Sequence, residues 1–253
     1  MKSINEIDLP KSLPYFFFEK IRTRIIQGVY PPGYPLREQE IENEFSTSRG
    51  TMRESLRLLV NSGLVEHKQR RGFRVKEYSE KVLRDLYHLR SFLEGMVVIS
   101  LANADLDHLI DELQSLLRRM DEFCEENKCD DYFLENMKFH QKMIDFAGNE
   151  PLALVLHYLN EMSLPVRYLK LAKNFPDEQS VNYHKKIVSS IALGNFEEGA
   201  ELAKSHIMED LDGVIKVYKE EQGKTLNRDS HRHYGSPKRH SDATRLDATG
   251  FNR

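Results

Sequence analysis

Ser46-Thr-Ser-Arg-Gly-Thr-Met-Arg-Glu-Ser-Leu-Arg-Leu-Leu-Val-Asn-Ser-Gly63 reads as a short helix with both ends marked. Three hydroxyl residues open it, and Ser46, Thr47 or Ser48 can accept from the free amides of a first turn. Leu56, Leu59 and Val60 follow at three- and four-residue spacing as an apolar stripe, and Gly63 supplies the stop. Arg49, Arg53 and Arg57 recur every fourth residue and so share one face. A solvated charged face is the ordinary reading of such a stripe. Here no acid at matching spacing pairs all three, and the helix has company. Pro35 to Phe45 reads as a shorter helix just before it, which makes a helix–turn–helix. Beyond Gly63, Leu64-Val-Glu-His-Lys68 and Phe73-Arg-Val-Lys76 read as strands around the basic turn Gln69-Arg-Arg-Gly72. Two helices and a hairpin wing predict a head that lies against a DNA duplex.

Charge supports that placement. The chain of 253 residues carries a formal charge of −3, but the charge is unevenly spread. Residues 1–78 hold 14 Lys and Arg against 10 Asp and Glu, residues 79–221 hold 16 against 27, and residues 222–253 hold 7 against 3. Within residues 47–76 the balance is 8 against 2. A basic segment suits a phosphate backbone, while the acidic middle would be repelled by one. We therefore expect a DNA-binding domain over residues 13–78 and a second domain over 79–221 with another task. The chain has no apolar run long enough to span a bilayer, and Met1 to Pro10 carries two acids and no hydrophobic stretch. With only Cys124 and Cys129, a disulfide framework is not expected, and free thiols in a reducing cytoplasm are.

Tyr15 to Gln27 carries Phe17, Phe18, Ile21, Ile25 and Ile26, an amphipathic helix ended near Gly28, and Tyr30-Pro-Pro-Gly33 forces a turn. From Lys81 the pattern is helical throughout. Helices are expected from about Lys81 to Asn103, from Leu106 to about Glu125, and from Asp130 to Ala147. Others start at Pro151, with Pro165 kinking or ending it, at Asp177 (to Leu193), and at Phe196 (to Tyr218). The expected fold is mainly α: a winged helix–turn–helix followed by an antiparallel bundle of six helices. Residues 222–253 lack apolar periodicity and are expected to be a disordered tail.

The head resembles the GntR family of bacterial transcription regulators. The matching features are Ile26-x-Gly28, Tyr30-x-Pro32-Gly33, Leu36-x-Glu38, Ser48-Arg49 with Arg53-Glu54-x-Leu56, Gly63-Leu64-Val65 and Arg70-Arg71-Gly72. The remainder is similar to the FadR-type effector domain (the FCD type), through Phe139-His140, Gly148-Asn149-x-Pro151-Leu152, His184, Gly194-Asn195 and His206. The resemblance spans about residues 14–219. Two positions depart from the family pattern: Gly50 removes a side chain after the recognition arginine, and Gln39 stands where a basic residue is common.

The resemblance implies a transcription regulator rather than an enzyme, acting as a repressor in the cytoplasm and as a homodimer on a palindromic operator. Arg49 and Arg53 would meet the major groove, Ser48 and Thr51 would contact phosphate or a single base, and Arg70 and Arg71, beside Gly72 on the wing, would reach the backbone or minor groove. Asn136, His140, His184 and His206 would hold a divalent transition metal, zinc foremost, with nickel, iron and copper also suited to imidazole. Asn136 and His140 lie one helical turn apart and can converge on one point. Arg90, with Arg167 as a weaker candidate, would hold the carboxylate of a small organic acid. For a lone histidine the ordinary reading is a core residue; three at the family's ligand positions change it. Two rivals stand beside this reading, an acyl-CoA-responsive regulator without metal and a zinc-dependent hydrolase built on the histidines.

Overall fold

The computed structural model describes residues 12–229, with side chains to residue 222, and divides between Lys76 and Glu77 into two compact units. Each is described by itself.

In the first unit, α1 (Leu13–Ile26) is followed by β1 (Pro35–Leu36), α2 (Glu38–Phe45), α3 (Arg49–Asn61), β2 (Val65–Lys68) and β3 (Gly72–Val75). The strands form an antiparallel sheet in the order β1-β3-β2, with Leu36 and His67 both opposite Phe73. The hydroxyl residues before α3 divide their work. Ser46 takes a left-handed conformation (φ 50°) at the end of α2, and Ser48 caps α3, its side chain accepting from the Thr51 amide at 3.3 Å. Gly63, at φ 81°, ends the helix in the conformation glycine adopts without cost. Ile21, Ile25, Ile41, Met52, Leu56, Leu59, Leu64, Phe73 and Val75 close one core. The buried Ser55 hydroxyl donates to Pro14 O at 2.8 Å, pinning α3 to the start of α1. The helix expected from Pro35 begins only at Glu38, because Pro35 and Leu36 pair with Phe73 and Arg74. A proline without an amide proton is tolerated in such a marginal strand.

The second unit is all helical: α4 (Glu80–Ser100, followed by one 3₁₀ turn), α5 (Leu106–Glu125), α6 (Cys129–Phe146), α7 (Glu150–Asn174), α8 (Glu178–Ala192), α9 (Phe196–Glu209) and α10 (Leu211–Asp229). It differs from the expected six helices at three places. Pro165 does not end α7, which runs on to Asn174. Proline inside a helix costs about 3 kcal/mol. The burial of Met162, Leu164, Val166 and Leu171 at about 1.5–3 kcal/mol each outweighs that cost. The single helix expected from Phe196 to Tyr218 breaks at Asp210, a poor interior helix former whose carboxylate turns to Lys170 at 2.5 Å. The boundary expected at Gln222 is also passed: α10 continues to Asp229, since the helix formers Gln222, Lys224, Leu226 and Arg228 propagate a helix once it is nucleated. The rest of the expected tail, and Met1 to Lys11, lie outside the described residues.

The first half of α10 is tied to the start of the unit. The Tyr78 amide donates to the Tyr218 hydroxyl at 2.9 Å, Lys219 pairs with Glu80 at 2.5 Å, and Arg84 pairs with Asp212 at 3.1 Å. Among the described residues no helix is long and apolar enough to cross a membrane. Truncating Leu56, which is fully buried, is expected to destabilise the head by about 2–5 kcal/mol. Scanning calorimetry of Leu56→Ala should show that loss with the unfolding of the helical unit unmoved.

Candidate DNA interface and metal–anion centre

In the head, α3 carries its cationic residues outward. The side chains of Arg49 and Arg53 are 76% and 52% exposed at the front of the helix. Both face Glu38 of α2, at 3.8 and 3.7 Å, an acid that helical spacing along α3 could not disclose. Pairs this long and this exposed are weak, so the two guanidiniums are available to a stronger acceptor. Arg57 turns instead to Glu54 at 3.4 Å. The Ser48 and Thr51 hydroxyls lie 2.9 Å apart at the cap. Nothing lies within 4 Å of a Cβ built on Gly50, so this position leaves space between Arg49 and Thr51. Between β2 and β3 the turn is made by Arg70 at φ 64° and Gly72 at φ 72°, and Arg70, Arg71 and Gly72 are all exposed.

In the helical unit, His140 of α6, His184 of α8 and His206 of α9 meet, with one donor nitrogen from each lying within 4.8 Å of the others. His140 Nε2 and His184 Nε2 are 3.3 Å apart, and the His206 ring stacks on that of His140 with centroids separated by 5.6 Å. Two ring nitrogens held this close repel unless a proton or a cation lies between them. In a tetrahedral zinc site, bonds of about 2.0–2.1 Å place ligand nitrogens about 3.3 Å apart. Burial, followed by the neighbouring His206 and His140 rings, holds His184 well below the usual histidine range. Burial, followed by His140, does the same for His206. Both rings are therefore neutral, as ligation requires. One turn before His140, the buried Oδ1 of Asn136 has no hydrogen-bond partner. The donor set of three imidazoles and one orphaned carbonyl oxygen fits a divalent transition ion.

The same cavity, of about 100 Å³, is lined by Asn136, His140 and His206 together with Arg90 and Arg167. His184 closes the cluster from behind and is fully buried. Arg90 of α4 is 1% exposed; its Nε donates to Asn160 Oδ1 at 2.9 Å, while its Nη2 has no hydrogen-bond partner. Burial, then the charge of Arg90, brings Arg167 down to about 10. Arg167 lies in the cavity wall, a stronger position than its sequence suggested. The buried Tyr87 hydroxyl lines the same space without a partner.

Glu94 is the residue the sequence did not single out. It is 1% exposed, with Oε2 at 3.4 Å from His140 Nδ1 and Oε1 at 3.8 Å from Arg90 Nη2. These are ion-pair separations rather than well-aligned hydrogen bonds. Burial pushes its carboxyl up, but His140 and Arg90 more than offset this and hold it at about 2. A carboxylate at Nδ1 is the arrangement that turns the other ring nitrogen of a ligating histidine toward a metal.

The known-protein comparisons agree with both halves. Residues 17–75 match the profile of bacterial regulatory proteins of the gntR family, and residues 85–209 match the FCD domain. A probable D-xylose utilization operon transcriptional repressor of Paenarthrobacter nicotinovorans is 30% identical, over 72% of this chain and 79% of its own. The chain belongs to the GntR family. Its relatives also include the uncharacterized HTH-type transcriptional regulator YdhC of Bacillus subtilis, 25% identical over 86% of this chain and 98% of its own. The E. coli McbR/YncC structure shares the fold, with a TM-score of 0.71 at 17% identity, covering 82% of this chain and 99% of that one.

This GntR regulator is thus a DNA-binding transcription regulator with an FCD domain, not an enzyme, and the hydrolase reading falls with that assignment. The depressed His184 and His206 fix the direction of its pH response. The unfolded chain takes up protons near pH 6.5 that the folded metal-free unit refuses, so stability is lost as the pH falls below that value. Calorimetry in chelator should give a lower Tm at pH 5.5 than at pH 7.5, and the difference should shrink in His184→Asn/His206→Asn.

Proposed function

We propose that this GntR regulator is a repressor whose operator affinity is set by a small organic acid bound at a metal centre in its helical domain. The observation that carries the reading is one cavity lined by His140, His206, Asn136 with its orphaned Oδ1 and Arg90, whose Nη2 has no hydrogen-bond partner, with His184 completing the cluster of three converging imidazoles. Asn136, His140, His184 and His206 hold a divalent transition metal, zinc foremost, with nickel, iron and copper also admitted by imidazole. When bound, the ion supplies an electrophilic anchor for a carboxylate oxygen. Arg90 and Arg167 grip the rest of that carboxylate, and Glu94 keeps His140 oriented. Asn136 brings no negative charge, so the centre is more cationic than one with an aspartate there, which favours an anion. An acyl-CoA is a poorer candidate. A cavity of about 150 Å³ takes benzene, and the space here, about 100 Å³, takes a short acid.

Residues 13–78 bind DNA and residues 79–221 sense the acid and dimerise. On α4, the exposed residues Val82, Leu89, Phe92, Met96 and Ile99 form one apolar stripe, and Leu154, Val155 and Tyr158 of the adjoining α7 are also exposed. Such a patch supports a second copy packed against it about a two-fold axis, and two heads then meet a palindromic duplex. Arg49 and Arg53 read bases, Ser48 and Thr51 contact phosphate or a single base, and the wing residues Arg70, Arg71 and Gly72 follow the backbone or minor groove. Repression is supported by relatives named as repressors of D-xylose and gluconate operons. A DNA-bound regulator of this kind works in the cytoplasm.

Two measurements test these assignments. Metal analysis of protein purified without chelator should find stoichiometric transition metal that His140→Ala loses while still binding operator duplex; metal-free wild-type protein contradicts the centre. Arg49→Ala and Arg53→Ala should each cost about 1–3 kcal/mol on operator DNA and little on random duplex. Arg70→Ala and Arg71→Ala should instead weaken both and reduce the salt dependence by about one phosphate contact each.

A further inference from the structure

The cavity is electrically lopsided along its depth. Its buried end holds the guanidiniums of Arg90 and Arg167, with Arg90 Nη2 and the Tyr87 hydroxyl buried and without hydrogen-bond partners. Its outer wall carries one cation, Lys170, and three acids, Asp177, Glu209 and Asp210. Lys170 is shared between Asp177 at 3.0 Å and Asp210 at 2.5 Å, so one ammonium faces two carboxylates. Glu209 accepts from two neutral groups, the Tyr183 hydroxyl and the Gln179 amide. Each carboxylate oxygen has two lone pairs, so this wall keeps spare acceptor capacity. A second anion at that end would be repelled. An alkyl end would displace water from the carboxylates and return no hydrogen bond.

We propose that the effector is a small acid whose carboxylate lies toward Arg90 and Arg167 and whose far end donates hydrogen bonds to Asp177, Glu209 and Asp210. This deepens the acid-sensing reading above and rests on it. A hydroxyl or an ammonium group satisfies the outer wall; a methyl or a second carboxylate does not. The cavity thus excludes simple fatty acids and dicarboxylates by the same feature that admits hydroxy acids or amino acids.

The test is isothermal titration of the full-length, zinc-loaded chain with four- and six-carbon acids that differ only at the far end. Butyrate and hexanoate end in alkyl groups, succinate and adipate in carboxylates, 4-aminobutyrate and 6-aminohexanoate in ammonium groups, and 4-hydroxybutyrate and 6-hydroxyhexanoate in hydroxyls. A hydroxylated or ammonium acid should bind at least about tenfold more tightly than the alkyl acid of equal length, with the dicarboxylate weakest. Which of the two donor classes wins identifies the donor. Glu209→Gln combined with Asp210→Asn should bring that ratio toward one while the alkyl acid's affinity stays unchanged. An alkyl acid or dicarboxylate that binds as tightly as its donor-bearing counterparts overturns the donor assignment and leaves acid sensing standing. Binding of none of the acids overturns both.

Discussion

Arg90 and Glu94 are buried one turn apart on α4, each 1% exposed, and 3.8 Å between their nearest charged atoms leaves neither satisfied by the other. Burying charge is costly unless partners compensate it. The compensation here comes from other helices: Asn160 of α7 accepts from Arg90 and His140 of α6 faces Glu94. His184 of α8 and His206 of α9 then complete the ring cluster against His140. The helical unit is arranged around a polar centre rather than an unbroken apolar one.

The same fact explains why α4 is turned as it is. Its charged residues Arg90 and Glu94 face inward, while Leu89, Phe92, Met96 and Ile99 face outward. The helix therefore contributes Arg90 to the cavity wall on one face and exposes an apolar stripe on the other. Both faces belong to one continuous helix of 21 residues. The tie between Tyr78 and Tyr218 and the pairs Lys219–Glu80 and Arg84–Asp212 hold α10 against the first turns of the same helix, and Asp210, just before α10, lines the cavity.

The head was largely legible in the sequence because its signals are local. Ser48 before an apolar stripe, Gly63 after it and a basic turn ending at Gly72 each fix a backbone conformation that neighbours do not override. The histidines were found through family resemblance, since no local pattern links positions 140, 184 and 206. Glu94 escaped because, four residues from Arg90, it has the spacing of an ordinary surface pair, and only burial distinguishes the two cases. Pro165 and Asp210 were misread in opposite senses. Tertiary burial carried α7 through a proline, whereas a single carboxylate drawn to Lys170 accompanies the interruption of an otherwise continuous periodicity. Glu38 faces the recognition arginines across a turn, which spacing along α3 cannot reveal.

The central claim is that occupancy of the buried centre is felt at the DNA. Fluorescence anisotropy on a labelled operator duplex, with metal-free, zinc-loaded and zinc-plus-acid protein at fixed salt, measures it most directly. Coupling of the usual size predicts that the acid shifts Kd by about 5–150-fold in the zinc-loaded protein and leaves the metal-free protein unchanged. An identical Kd in all three states, with zinc and acid both shown to be bound, would contradict the account.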